Sequence, residues 1–151
     1  MGPSNAPLPA IPAIPARRAT AAIAAVGTLI SAYLTWVHYS GSLALCVGVG
    51  GCEAVQTSRY AMVGTVPVAL IGLGGFVTIL AVALARVRWP RPELDLALFA
   101  LSLTATLYVL YLSYVEVVVL GAICPWCVAV AVCAGAVFVA AARAVLNPPS
   151  A

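Results

Sequence analysis

Residues 123–132 read ICPWCVAVAV: two cysteines around a proline and a tryptophan, then an unbroken apolar run. That run belongs to a longer stretch, 125–142, without a charged residue. About 20 apolar residues rising about 1.5 Å each match the roughly 30 Å hydrocarbon core of a bilayer. On this reading a Cys-x-x-Cys pair stands at the mouth of a membrane helix.

Three further stretches have the same character: 19–39, 63–85 and 96–115, with His38 the single cation candidate among them. The 151 residues are 64% hydrophobic and 7% charged. Mean hydropathy is +1.13. A soluble domain carries about 25% charged residues, so this chain has too little polar surface to face water. The fold class that follows is an all-α membrane protein. It is a bundle of four transmembrane helices over residues 17–146, with a cysteine-bearing outer loop between helices one and two. Pro67 is expected in the first turn of the second helix, where its missing N–H costs little. Residues 1–16 are proline-rich and read as a disordered tail, and 147–151 as a short C-terminal one. The first apolar stretch follows Arg17 and Arg18 as a secretory signal would. It is longer than a typical signal core and lacks an A-x-A cleavage site, so a retained anchor is expected.

The net charge of +3 comes from seven arginines, with no lysine. They are not interleaved with aromatics on a polar face, which excludes nucleic-acid binding. Arg17, Arg18, Arg86, Arg88, Arg91 and Arg143 fall on one side of a four-span topology, and only Arg59 on the other. Positive charge marks the cytoplasmic side. Both termini are therefore expected in the cytoplasm, with the segments near 40–62 and 117–124 outside. Cys46, Cys52, Cys124 and Cys127 then lie on the face where disulfides form and persist.

Gly121 breaks the third helix, and Pro125 suits the first position of the fourth. Cys124 becomes the expected N-cap and Cys127 lies one turn on, on the same face. The positive end of a helix favours a thiolate, which suits the pair to disulfide exchange. The bland reading is a pair of inert packing cysteines. Cys46 and Cys52 bracket VGVGG, three glycines in five residues. This segment serves either a mobile shuttle pair or a static disulfide. Zinc sites space their ligands more tightly, C-x(2–4)-C, and no metal is expected. Cys133, six residues past Cys127, reads as packing against lipid or a neighbouring helix. Residues 53–61 are a candidate amphipathic helix at the interface, with Val55, Tyr60 and Met62 toward the bilayer. Ser58, alone, reads as a solvated or capping group. His38 reads as a polar interface residue. Glu116 is either a functional ionisable residue in a span or a group at the water boundary.

Together the stretches CVGVGGCEAVQTSRYAMVGTVPVALIG and ICPWC resemble the vitamin K epoxide reductase family in its bacterial form. The shared pattern is Cys, five residues, Cys, five residues, Ser, a Gly-x-x-Pro opening helix two, and a CxxC opening helix four. The resemblance covers roughly residues 17–146. It implies a thiol oxidase of the bacterial cell membrane, with its site on the extracytoplasmic face. Cys46 and Cys52 would take electrons from a secreted or membrane-anchored thioredoxin-like (DsbA-like) protein. Cys52 would exchange with Cys124, and Cys127 would pass electrons to a quinone beside Ser58. No flavin is implied. Animal members carry a tyrosine four residues after the CxxC; here that position is Ala131, which turns the expected acceptor to menaquinone or ubiquinone. Bacterial members often carry a fused thioredoxin-like domain; this chain ends at Ala151, so a separate partner is expected. The DsbB type of quinone reductase has its CxxC in the first outer loop, the reverse of the order here. The alternative in another class is a non-catalytic membrane scaffold with two structural disulfides.

Overall fold

The computed structural model describes residues 13–42, 44–46 and 51–148. Most of the proline-rich tail and the VGVG of the outer loop lie outside the described residues. In lipid every backbone N–H and C=O must find its partner within the protein, and a helix supplies it locally. Four long apolar helices result. They are α1 (Ala13–Ser40), α3 (Val68–Arg88), α4 (Pro92–Tyr114) and α5 (Pro125–Leu146). All four are long and apolar enough to cross a membrane. Helix α1 begins at Ala13, so residues 13–16, read as tail, are helical. Helix α3 starts five residues later than the apolar stretch 63–85, because Met62–Pro67 form a hairpin, while α4 starts and α5 ends about a turn beyond their stretches, carrying Glu93, Asp95 and Arg143.

The helices pack in a ring, α1 on α3, α3 on α4, α4 on α5 and α5 on α1. The interior is built largely from small side chains: Ala21, Ala24, Ala83 and Ala141 surround Ile79, Leu98 and Val137. Large apolar residues point outward; Leu29 is 70% exposed, Val132 65% and Leu107 59%. A water-soluble bundle would reverse this. Small residues inside allow close helix approach where lipid surrounds the protein. Gly27 illustrates the point: a Cβ there would run into the Phe76 ring of α3. Cys133 is buried with Phe76 and Ala134, as packing between helices rather than against lipid. Arg86 of α3 and Asp95 of α4 form a buried ion pair across the 89–91 connection.

The opposite end carries the irregular structure. Residues 53–61 do not form one interfacial helix. A single short helix, α2 (Cys52–Gln56), gives way at Thr57 and Ser58 to a 3₁₀ turn, Arg59–Ala61. A small antiparallel hairpin, β1 (Met62–Val63) with β2 (Val66–Pro67), then leads into α3, turning at Gly64 with φ +63°. Pro67 is the N-cap of α3, one position before the expected first turn. Helix α4 is extended by a π turn, Val115–Val119, closed by the Leu120 N–H on the Val115 carbonyl at 2.9 Å.

Candidate functional site

The site is assembled where the connections α1–α3 and α4–α5 meet. Gly121, at φ +60°, reverses the chain after the π turn. Cys124 is the N-cap of α5 in extended conformation, with Pro125 at the first helical position. Both placements agree with the sequence reading. The Cys124 carbonyl accepts the first helical bond, from the Val128 N–H at 3.1 Å. Cys124 is fully buried and Cys127 partly so, and both thiols are free. Cys127 hydrogen-bonds the Cys124 sulfur and brings its pKa down to about 7. Burial opposes this, and the N–H groups of Cys127 and Trp126 at the helix start assist.

Cys46 and Cys52 are joined as a disulfide, with Cα atoms 6.3 Å apart. Three contacts dock this loop on the CPWC segment. The Trp126 indole N–H donates to the Leu45 carbonyl at 3.0 Å. The Leu45 N–H donates to the Tyr33 hydroxyl at 3.2 Å. The Tyr33 and Trp126 rings lie 5.1 Å apart. On the other side of the disulfide, Gly51 presses so close to the Ile123 backbone that a Cβ would not fit. The segments carrying Cys52 and Cys124 are thus in backbone contact.

An apolar cavity of about 540 Å³ opens between the helices below this junction. Its wall includes Cys127 and Ser58, together with Glu116, His38, Gln56 and Tyr108. Cys124 is not part of that wall. Val55 and Tyr60, expected toward the bilayer, line the cavity instead. Ser58 donates to the Val55 carbonyl at 2.8 Å, closing the turn after α2. A second, more polar recess of about 530 Å³ holds the Cys46–Cys52 disulfide and shares His38, Gln56 and Ser58 with the first.

Glu116 is the residue whose place the sequence left open. It is 5% exposed. Its carboxylate accepts a hydrogen bond from the Cys124 N–H. Its oxygen and the Cys124 and Cys127 sulfurs all lie within 4.8 Å of one another. The signal available in sequence was an ionisable residue inside a span. The π turn and the reversal at Gly121, which carry it to the cysteines, are not written in its spacing from Cys124.

A four-span helical bundle whose two cysteine pairs meet at one end defines a membrane thiol–disulfide oxidoreductase. The sequence model of the vitamin K epoxide reductase family matches residues 18–142, most of the chain, and the protein belongs to that family. Its members are linked in general to quinones and to thioredoxin-like redox partners.

Proposed function

We propose that this protein is a quinone-dependent thiol oxidase of the bacterial cell membrane that supports disulfide formation outside the cytoplasm. A thioredoxin-like dithiol protein reduces the Cys46–Cys52 disulfide. Cys52 then attacks the Cys124–Cys127 disulfide at Cys124, and Cys46 resolves the mixed disulfide by attacking Cys52. The CxxC is left as a dithiol, and the loop disulfide is restored. The pair reforms its S–S bond as two electrons and two protons pass to a quinone, giving the quinol.

One observation carries the reading: Cys127 and Ser58 share the wall of the apolar cavity, whereas Cys124 lies outside it. Cys124 is instead in the segment that touches the loop. This supports a division in which Cys127 serves the acceptor and Cys124 the loop. The cavity has the size of a small-molecule site. Gln56 Nε2 and Tyr108 Oη are buried without hydrogen-bond partners, and both side chains line the cavity. A quinone's two carbonyl oxygens would supply what they lack. The arginine distribution supports cytoplasmic termini and an extracytoplasmic site.

The test uses purified protein, a reduced thioredoxin-like protein and a short-chain quinone. Quinol should form in proportion to dithiol oxidised. No quinol, with the dithiol still oxidised by some other acceptor, would sink the quinone reading.

A further inference from the structure

The relay above leaves unused a buried ionisable group that stands beside it, Glu116. Glu116 sits on the π turn that ends α4, a form of helix that often marks functional positions. A buried carboxylate is costly unless it is paired or neutralised. The one ion pair among the described residues is Arg86–Asp95, so Glu116 has no cation to offset it there. Its neighbours are the Cys124 N–H and the two CxxC sulfurs. It also lines the cavity that Cys127 lines. The group therefore faces both the sulfurs that must lose protons and the space proposed for the acceptor.

We propose that Glu116 is the proton-transfer group of the CxxC, taking thiol protons from Cys124 and Cys127 and delivering them to the quinone oxygens. This rests on the reading given under the proposed function. In the step concerned, two thiols become one S–S bond and give up two electrons and two protons. The quinone takes both electrons and both protons to become the quinol. Glu116 carries the protons one at a time, one from each sulfur, and returns to its starting state after each delivery. Transfer needs hydrogen-bond reach, directly or through one water, and the spacing within 4.8 Å meets that. The other titratable groups in the cavity wall are His38 on α1, Tyr60 on the 3₁₀ turn, Tyr108 on α4 and Cys127 on α5; α3 contributes none. His38 is not part of the trio formed with the sulfurs.

Glu116→Gln keeps an oxygen to accept the Cys124 N–H but cannot carry a proton. Two single-turnover rates are measured on the purified full chain. The first is reduction of a short-chain quinone by protein with a pre-reduced CxxC. The second is quinone-free exchange from a reduced loop pair to an oxidised CxxC. The variant should slow the first by about 100-fold or more, the lower range for general acid–base catalysis, and flatten its pH dependence. The second, in which no proton goes to a quinone, should change by far less than the first. An unchanged first rate with an unchanged pH profile overturns the proposal. Equal slowing of both rates also overturns it, by making Glu116 a clamp on Cys124 and nothing more. Should Glu116→Gln not fold, Glu116→Asp withdraws the carboxyl by one methylene; it should slow the quinone step far more than the exchange step, and equal slowing of both steps again overturns the idea. Wild-type protein that exchanges disulfides yet never reduces quinone removes the reading beneath the proposal, an outcome distinct from any behaviour of the variants.

Discussion

Cys124 owes its acidity to its neighbours. The Cys127 hydrogen bond holds its pKa near 7 against the cost of burial, where an ordinary cysteine titrates at about 8.5. Donation to the sulfur favours the thiolate, so removing the donor must raise the pKa. The ultraviolet thiolate absorbance of protein with a reduced CxxC, taken as the difference from Cys124→Ser, should therefore climb with pH and reach half its limit near pH 7. In Cys127→Ala the midpoint should move upward. A midpoint that stays put would show that the helix start, not Cys127, sets the thiol. Gly51 makes the second residue-scale argument. Its missing side chain is what lets the loop touch the Ile123 backbone. Gly51→Val should push the two segments apart and slow loop-to-CxxC exchange by roughly 100-fold, the scale of a misplacement of about 1 Å. Stopped exchange kinetics on protein that keeps its Cys46–Cys52 disulfide would check it, and an unchanged rate would mean the contact does not govern transfer.

Between elements, the CPWC segment works as a two-sided connector. Trp126 and Ile123 hold the loop, while Cys127 reaches the cavity. This division predicts which sulfur the loop attacks. Exchange runs through a mixed disulfide, normally resolved when Cys46 goes forward or Cys127 attacks back. Cys127→Ser removes the return, and replacing Cys46 and Cys133 by alanine removes the other thiols. Neither native disulfide can then form, and Cys52 and Cys124 are the two thiols left; a mild oxidant such as diamide, which takes up the two electrons, should join them as a Cys52–Cys124 bond. After trypsin cleavage at Arg59 and Arg86, the loop fragment and the α5 fragment should run together on a gel without reductant and apart with it. Linkage in a Cys124→Ser protein instead, with Cys127 intact, would reverse the two roles. The short elements between α1 and α3 serve the same end. The break at Thr57 and Ser58 turns what could have been one interfacial helix inward, so that Val55, Ser58 and Tyr60 form a wall of the cavity.

At the scale of the whole molecule, the surface declares a lipid environment. Large aliphatic side chains point outward around a core built largely from small ones. Exposed aromatics gather near the ends of the spans: Trp36, Tyr39, Tyr111 and Tyr114 toward the site, Trp89 at the opposite end. Such rings favour the membrane–water interface. Six of seven arginines lie on the side away from the site. A membrane-impermeant thiol reagent should accordingly label Cys46 or Cys52 in intact cells after reduction. Labelling only in permeabilised cells would invert the orientation and remove the oxidising compartment on which the proposed reaction depends.

The sequence alone determined the four spans, because hydrocarbon demands long uncharged runs and nothing else in the chain competes with that pattern. It also determined the helix start at Cys124 and Pro125, since proline and the glycine at 121 act locally. The spacing of Cys46, Cys52, Ser58 and the CxxC was enough to resemble the family to which the chain proved to belong. Local pattern misread residues 53–61, where a few apolar residues set among polar ones suit a surface helix; Val55 and Tyr60 line the cavity instead. Only the tertiary structure decided that Gly51 meets Ile123, that Cys127 and not Cys124 lines the cavity, and that Glu116 stands beside both sulfurs. Each of these depends on a backbone reversal or a π turn, which rotates side chains by amounts that residue spacing does not encode.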